Sequence, residues 1–219
     1  MTTQAAWQIF SAAILVTVIA AGFVWFERTR PTARGVSLVA ALVAFAVIGR
    51  ILFAPFPNVK PTTDIVIVAG FVLGFAPGWI VGTLAALVSN FFFMQGPWTP
   101  WQMVAWGLCG LLGALLARVT DGRTHRLPMA LACAGAGLLY GLILNFQGAI
   151  NAGGPDLLNS FWIQLGTAIP FDIAHALGNF AFFMLAGPLL ITMLERLKSR
   201  GDLVWPASES DAAHSSTPA

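Results

Sequence analysis

Residues 64–94, DIVIVAGFVLGFAPGWIVGTLAALVSNFFFM, contain a single charged side chain, that of Asp64. The whole chain has the same character, since 58% of its residues are hydrophobic and 9% are charged. Soluble domains carry roughly 25% charged residues, so the composition indicates an integral membrane protein. The seven apolar runs are 7–26, 36–53, 64–75, 79–94, 101–117, 128–146 and 171–194.

These runs predict α-helices. Polar and apolar residues do not alternate in them, which argues against a membrane β-barrel and for helices that satisfy their own backbone hydrogen bonds. Small residues recur at every fourth position in Gly70, Gly74, Gly78 and Gly82, and such a stripe lets helices approach closely in lipid. Pro77-Gly78 is expected to break this region into two short helices joined by a tight turn. The sequence therefore predicts an all-α membrane bundle.

Basic residues indicate how the bundle is oriented, because those near short loops prefer the cytoplasm. With seven spans, three basic clusters share one side and place the N-terminus outside and the C-terminus in the cytoplasm. We interpret the first run as a retained span and not as a signal peptide, since it lacks a basic start and is followed by Glu27-Arg28-Thr29-Arg30. The clusters are Arg28, Arg30 and Arg34; Arg118, Arg123 and Arg126; and Arg196, Lys198 and Arg200.

Three parts are expected along the chain. Residues 1–35 form an extra N-terminal transmembrane helix with a basic cytoplasmic loop, and residues 36–197 form a six-helix membrane core. Residues 198–219 are rich in Ser, Ala, Asp and Pro and are expected to be a disordered cytoplasmic tail. Residues 148–170 mix polar and aromatic side chains, which predicts an outer loop with a short interfacial helix.

The last run carries Asp172, His175 and Asn179, which share one helical face. An ionised Asp in a helix centre costs roughly 2.5 to 3.5 kcal/mol on insertion scales, so this face is expected to point into the bundle or a cavity. In the alternative interpretation Asp172 caps a helix that begins near Pro170, while the other two bridge neighbouring helices. Arg50 and Lys60 can compensate Asp172 or bind an anionic group.

Motifs for catalysis or cofactor binding are absent from the sequence. There is no Gly-x-Ser-x-Gly elbow, no His-Glu-x-x-His, no phosphate-binding loop and no carboxylate-rich metal motif. Cys109 and Cys133 lie inside apolar runs without a metal or redox spacing and are interpreted as packing thiols. We expect neither an enzyme nor a cofactor, metal or nucleic-acid site.

Beyond its composition, the chain resembles the substrate-binding S components of energy-coupling factor (ECF) transporters, the bacterial vitamin-uptake systems. The resemblance covers about residues 36–194. Its motifs are Gly49-Arg50, Pro57-Asn58-Val59-Lys60-Pro61, the Gly70 to Gly82 series, Ser89-Asn90, Gly96-Pro97-Trp98-Thr99-Pro100-Trp101-Gln102, and Pro170-Phe171-Asp172-Ile173-Ala174-His175 with Asn179.

The resemblance implies a six-helix core in the bacterial cytoplasmic membrane that captures a vitamin-like molecule from outside. Such a core works with a transmembrane T component and two cytoplasmic ATPases. Ala40 and Ala44 match in place and spacing the Ala-x-x-x-Ala pair that contacts the T component in that family. The Pro-Trp-Thr-Pro-Trp string is similar to S components proposed for cobalamin or for unidentified vitamins, which implies cobalamin or another flat ligand. The run at 7–26 departs from the family pattern.

We therefore expect a binding pocket near the outer face, with hydrogen bonds from amides and charges and stacking from tryptophans. Two other interpretations remain open at this point. One is a scaffold resembling the rod-shape membrane subunit of the cell-wall machinery, and the other is an intramembrane enzyme using Asp172 and His175. The expected pocket residues are Arg50, Asn58, Lys60, Asn90, Gln95, Trp98, Trp101, Gln102, Asn145, Asp172, His175 and Asn179.

Overall fold

A computed structural model describes residues 3–152 and 156–199, and in these ranges it contains seven α-helices and no strand. The expected all-α membrane bundle is confirmed: six of the helices are long and apolar enough to cross a membrane. The third helix is shorter than the other six. The helices are α1 (Thr3–Thr29), α2 (Ala33–Leu52), α3 (Thr62–Leu73), α4 (Phe75–Phe93), α5 (Thr99–Val119), α6 (Arg126–Ala152) and α7 (Leu157–Ser199).

Successive helices run in opposite directions, so the loops collect at two ends of the bundle. We call the end with the α2–α3 loop (53–61) and the α4–α5 loop (94–98) the polar end. The opposite end, which carries the α1–α2 and α5–α6 loops and the end of α7, is called the basic end because the described residues of the three arginine- and lysine-rich clusters lie there; Arg200 is outside the described residues.

The central helix is α3, whose residues are all buried. It ends at Gly74, which has φ 94° and ψ 177°, a conformation that an L-residue with a side chain rarely adopts. The break therefore lies at Gly74, and the break expected at Pro77-Gly78 is wrong. Pro77 instead sits in the first turn of α4, where the N–H that proline lacks has no helical acceptor.

Glycines bring α3, α4 and α5 into backbone contact, as the four-residue stripe predicted. A Cβ atom added at Gly110 would clash with the carbonyl group of Gly78. One added at Gly82 would clash with the carbonyl group of Trp106. No side chain fits in these contacts, so the three helices form a compact unit around which the others pack.

The two last helices are much longer than expected. α6 continues to Ala152, and α7 has 43 residues, which at 1.5 Å per residue is about 65 Å, roughly twice the hydrocarbon thickness. The outer loop and short interfacial helix expected at 148–170 are therefore wrong: both helices extend past the polar end. Gly153, Gly154 and Pro155 lie outside the described residues.

Cations at the basic end satisfy two backbone carbonyls that helices leave free. Pro188 lies inside α7 and offers no N–H to the carbonyl of Met184 four residues earlier. Arg126 donates to that carbonyl from Nε at 2.9 Å and also from Nη2. Lys198 Nζ donates at 2.7 Å to the carbonyl of Val72, in the last turn of α3.

The first helix lies at the edge of the bundle. Val18 is the one buried residue among the described side chains of α1. Near the polar end α1 contacts α5 and α6, and further along it leaves an apolar groove of about 710 Å³ against α2 and α4. At the other terminus Lys198 and Ser199 belong to α7, and the remainder of the expected tail lies outside the described residues.

Candidate functional site

A hydrogen-bond network at the polar end joins α2, α4 and α5. Arg50, in the last turn of α2, donates from Nη1 to Ser89 Oγ at 2.5 Å and to Asn90 Oδ1 at 2.9 Å. Asn90 is completely buried, and its Nδ2 donates to Thr99 Oγ1 at 3.0 Å and to Gln102 Oε1 at 2.8 Å. Asn90 thus uses both ends of its amide to link three helices.

The same network holds the α4–α5 loop in place. Thr99 Oγ1 donates to Gln95 Oε1 at 2.9 Å and accepts from the backbone N–H of Gly96 at 3.3 Å. Gln95 Nε2 in turn donates to the carbonyl of Leu87 at 2.8 Å. Because each of these bonds closes a short loop, the segment that carries the Pro-Trp-Thr-Pro-Trp string has a defined shape.

Two cations lie over one pair of aromatic rings. The guanidinium carbon of Arg50 is 5.0 Å from the ring centroid of the fully buried Trp106. The indole packs against the ring of Tyr140 in a tilted arrangement, with 4.8 Å between the centroids and 32° between the planes. Lys60 Nζ lies 5.9 Å from the Trp106 ring and 5.3 Å from the Tyr140 ring. The ring faces stabilise both charges by cation–π attraction.

Lys60 lies in the α2–α3 loop and is held through Asn58, which is bonded to α7. Lys60 Nζ donates to Asn58 Oδ1 at 2.5 Å, and Asn58 Nδ2 donates to the carbonyl of Phe171 at 2.9 Å. Asn58 has φ 59°, a left-handed conformation that Asn tolerates better than most residues. Burial, followed by the charge of Arg50, lowers the pKa of the Lys60 ammonium to about 7, while Asp172 acts in the opposite direction.

Asp172 lies inside α7, so it does not cap a helix starting near Pro170, and that part of the alternative interpretation is wrong. Its other part is confirmed, since His175 and Asn179 form hydrogen bonds to neighbouring helices. Asp172 Oδ2 accepts from Asn145 Nδ2 at 2.7 Å. The carboxylate rests against Gly141, where an added Cβ would lie 2.5 Å from its carboxyl carbon. Gly141 thereby lets the side chain of Asp172 lie between α6 and α7.

His175 is completely buried one turn further along α7. Its Nε2 lies 3.0 Å from Thr63 Oγ1, which also accepts from Trp106 Nε1 at 3.1 Å. A hydroxyl group has one proton and two lone pairs, so Thr63 can accept from the indole and still either donate to Nε2 or accept from it, depending on the imidazole tautomer. The other nitrogen of the imidazole is Nδ1. That atom is buried without a partner among the described residues.

Asn179 connects α7 to α3 or α6, depending on how its amide is oriented. In one orientation it donates to the carbonyl of Cys133 at 3.3 Å. In the other it donates to the carbonyl of Lys60 and to Asp64 Oδ2, both at 3.2 Å. Asp64 makes no capping hydrogen bond for α3, contrary to its ordinary role near a helix start. Cys109 and Cys133 are buried and unbridged.

Trp98, in the α4–α5 loop, and Trp101, in the first turn of α5, are not part of this network. Trp101 donates from Nε1 to Ser11 Oγ at 3.1 Å and packs against Phe10 and Phe146, so α1 covers it. Trp98 folds back over Gly96. The other ten expected pocket residues form four neighbouring groups: Arg50, Asn90, Gln95 and Gln102; Asn58 and Lys60; Asn145 and Asp172; and His175 and Asn179.

The aromatic pair of the site, Trp106 and Tyr140, was not predicted from the sequence. Trp106 lies inside an apolar run, but it follows Gln102 by four residues, a spacing that places both on one helical face. That spacing was the available signal. Tyr140, the one tyrosine of the chain, gave no such signal because it is five residues from Asn145 on α6.

Comparisons of this chain with protein-family models, with curated proteins and with solved structures found no match. What the site can do follows from its own groups. It offers hydrogen-bond donors, amides and aromatic ring faces, and among the described residues no group of His, Cys, Asp and Glu is arranged to hold a metal ion. Such groups suit non-covalent binding of a small polar molecule.

Proposed function

We propose that this protein is a membrane substrate-capture subunit, the S component of an ECF-type importer. It binds a vitamin-like small molecule at the polar end and delivers it inward with a T component and two ATPases. The observation that carries the proposal is the network around Arg50, Asn90 and Trp106. It gathers buried polar groups from several helices at one end of an otherwise apolar bundle.

The cost of this network in a membrane supports a binding role. Helices in lipid can associate through small residues alone, as α3, α4 and α5 do at their glycines. Polar and charged side chains within spanning helices are expensive and usually mark substrate pathways. Helix packing does not require polar side chains such as Arg50, Asn90 and His175. Their presence is therefore explained by ligand binding.

Entry of a ligand requires one side of the network to move. Among the described residues, the α2–α3 loop is bonded to α7 from Asn58 Nδ2 to the carbonyl of Phe171 and, in one orientation of its amide, from Asn179 to the carbonyl of Lys60. Breaking these bonds frees Lys60 to move away from the Trp106–Tyr140 pair. The α4–α5 loop, held by several bonds of its own, stays in place as the fixed wall of the site.

The docking site for the T component is proposed at Ala40 and Ala44. Both alanines are exposed on α2 and line the apolar groove of about 710 Å³ between α1, α2 and α4. Two small residues four apart form a flat patch against which a partner helix packs closely. α1 borders the groove, which gives the extra helix a place beside the interface.

The first test is to purify the protein in detergent from cells grown in rich medium, denature it and identify released small molecules by mass spectrometry. A stoichiometric vitamin-like molecule supports the proposal. Asn90→Ala is expected to lose it, because the substitution removes one of the two acceptors of Arg50 and the donor to Gln102 Oε1, and a buried group left without its partner costs about 1–3 kcal/mol. Asn151→Ala, which alters an exposed amide on α6, is the matched control.

A protein that is repeatedly empty and that no vitamin stabilises against heat would favour the scaffold resembling the rod-shape subunit. Turnover of the released molecule that His175→Ala abolishes would favour the intramembrane enzyme. These outcomes separate the three functions because only the importer subunit holds a molecule without changing it.

The interface is tested by co-expression with a T component and its ATPases. Ala40→Phe and Ala44→Phe are expected to abolish co-purification of the complex while the bound small molecule is retained. Ala181→Phe, at an exposed alanine of α7, is the matched control and is expected to have no effect. Co-purification that survives both groove variants would move the interface elsewhere.

The proposed orientation places the polar end outside the bacterial cytoplasmic membrane. Cys109 and Cys133 are buried, so a new surface cysteine is labelled over a low background. In intact cells an impermeant maleimide is expected to label Pro97→Cys at the polar end and to leave Gly122→Cys at the basic end unlabelled. The reverse pattern would contradict the orientation.

A further inference from the structure

We propose that the ligand of this site carries an anionic group, a carboxylate or a phosphate, which binds between Arg50 and Lys60 beside the Trp106–Tyr140 pair. The inference rests on the proposed function, since it names the chemical class of the molecule that the site takes. It is carried by the balance of charges around the site and by a buried hydroxyl group that has no partner among the described residues.

Both cations have neutral partners only. Within the described part of the chain, the hydrogen bonds of Arg50 go to Ser89 and Asn90, and that of Lys60 goes to Asn58. A cation withdrawn from water without a counter-ion is strongly unfavourable, even where aromatic rings offset part of the cost. An anion bound between the two side chains would neutralise them.

Neither of the nearby carboxylates forms a hydrogen bond with Arg50 or Lys60 among the described residues, and Asp64 Oδ1 is itself buried without a partner there. Asp172 accepts a hydrogen bond from Asn145 at 2.7 Å, and its attraction to Lys60 acts without an ion pair. Asp64 is buried in the first turn of α3, on the side of Asn179. Two cations therefore face the aromatic pair, and neither carboxylate is paired with them.

The second, independent observation is the hydroxyl of Tyr140. This side chain is 4% exposed, and its oxygen has no hydrogen-bond partner among the described residues. The hydrogen bonds of Arg50 to Ser89 and Asn90 use Nη1, and its remaining N–H groups can donate to a second acceptor. Arg50, Lys60 and Tyr140 thus supply three donors at one place, which matches the several acceptor oxygens of a carboxylate or phosphate.

Protonation of Lys60 makes this binding depend on pH. Its pKa of about 7 reflects burial and the charge of Arg50, with Asp172 opposing them. The titratable side chains that face it are Arg50 on α2, Tyr140 on α6, and Asp172 and His175 on α7. A bound anion favours the ammonium form, so binding takes up a proton and the affinity falls as the pH rises above about 7.

The decisive experiment measures the charge of the molecule that the purified protein releases on denaturation. Anion-exchange retention at pH 7 and negative-ion mass spectrometry are expected to show an anion. A released molecule that is neutral or cationic overturns this inference and leaves the proposed function intact. Release of no molecule at all overturns the proposed function, and with it the inference.

Variants then test whether the two cations bind that anion. Arg50→Gln and Lys60→Gln are each expected to lower its occupancy by about tenfold or more. Lys60→Arg retains the charge and keeps the ligand. Arg118→Gln, an exposed cation at the basic end, is the matched control. If Lys60→Gln retains the anion at undiminished occupancy, the assignment of the anion to Lys60 is overturned. This outcome remains decisive even if Arg50→Gln fails to fold.

The pH dependence provides a readout that a structural role of Lys60 would not produce. The identified molecule is returned to emptied protein at pH 6.5 and at pH 8.5. Affinity is expected to fall several-fold at the higher pH in the native protein and to stay constant in Lys60→Arg, which remains charged throughout. Equal pH dependence in both proteins overturns the role of Lys60.

Discussion

Individual amides and cations hold the polar end together through bonds that cross between helices. Asn90 links three helices through one amide, and Asn58 ties the α2–α3 loop to α7. Lys60 differs from these because it is an ionisable group with a pKa of about 7. It therefore makes the site sensitive to pH near neutrality.

The pKa of Lys60 is about 7 in the folded protein and 10.5 ordinarily. The ligand-free protein is therefore expected to become more stable as the pH rises from the first value towards the second. The folded state binds fewer protons than the unfolded state in this window, so the stabilisation is complete above the upper value and is lost as the pH falls through the lower one. Thermal unfolding in detergent between pH 6.5 and 9.5 measures this slope.

Lys60→Met is the comparison for this measurement, since it retains an apolar stem and removes the titration. Its unfolding temperature is expected to rise less over the same pH range than that of the native protein. Parallel pH profiles for the two proteins would contradict a lowered pKa at this position. Ligand affinity is expected to change in the opposite direction over the same range, which separates folding from binding.

Among the helices, α3 organises the bundle because it is buried along its whole length. α4 and α5 contact it at glycines, whereas α7 contacts it through polar side chains at one end and through Lys198 at the other. These two kinds of contact respond differently to substitution. The glycine contacts tolerate no added atom, and the capping contacts contribute modest hydrogen-bond energies.

Gly110→Ala is expected to disrupt the bundle, because its Cβ would clash with the backbone of Gly78. Overpacking of this kind costs about 1–3 kcal/mol or more. Gly135→Ala is the matched control, since an added Cβ on that face of α6 meets nothing within 4 Å. Thermal unfolding and the yield of monodisperse protein measure the difference, and equal behaviour of the two variants would refute the close contact.

Arg126→Gln is expected to lower the free energy of unfolding by about 1 kcal/mol, because the carbonyl of Met184 loses its donor. In a Pro188→Ala background the loss is expected to be smaller, since the restored backbone N–H satisfies the same carbonyl. A double-mutant cycle on thermal unfolding measures this coupling. Strictly additive effects would show that Arg126 does not act through the carbonyl of Met184. Arg123→Gln is the control variant.

The molecule as a whole divides into a packed core, α2 to α7, and a peripheral helix, α1. The core contains the fully buried groups of the site, including Asn90, Trp106 and His175. Among its described side chains α1 contributes one buried residue, and it covers Trp101. The site is thus built without α1, although α1 borders the groove proposed for the T component.

A chain that begins at Pro31 is expected to fold and to retain its bound molecule, because α1 contributes little buried area. Gel filtration and mass spectrometry of the released molecule measure the outcome. A chain that begins at Leu42 removes half of α2 and is the control that is expected to fail. Loss of the molecule from the first truncation, with the bundle still folded, would place α1 in the site.

The membrane bundle could be predicted from the amino-acid sequence, because hydrophobic runs of about 20 residues have few other stable states. Close helix contacts at the glycines were also indicated by their spacing of four, although the break at Gly74 puts Gly70 on α3 and Gly78 on α4, where they face each other across the two helices. The break predicted at Pro77-Gly78 was misplaced, because a proline is tolerated in the first turn of a helix as well as at a break between helices. The length of α7 was missed for a similar reason: Pro170 suggested a start, while packing against α6 continues the helix through it.

Which polar groups meet, by contrast, depends on how the helices pack. Sequence spacing relates residues on one helix, whereas Arg50, Asn90 and Trp106 come from three helices whose rotations are set by packing. The same packing turned Trp101 towards α1 and buried Trp106 beneath the two cations. Burial and neighbouring charge, which give Lys60 its pKa of about 7, likewise arise when α2, α6 and α7 close around it. They depend on distances in space, which no local pattern in the chain encodes.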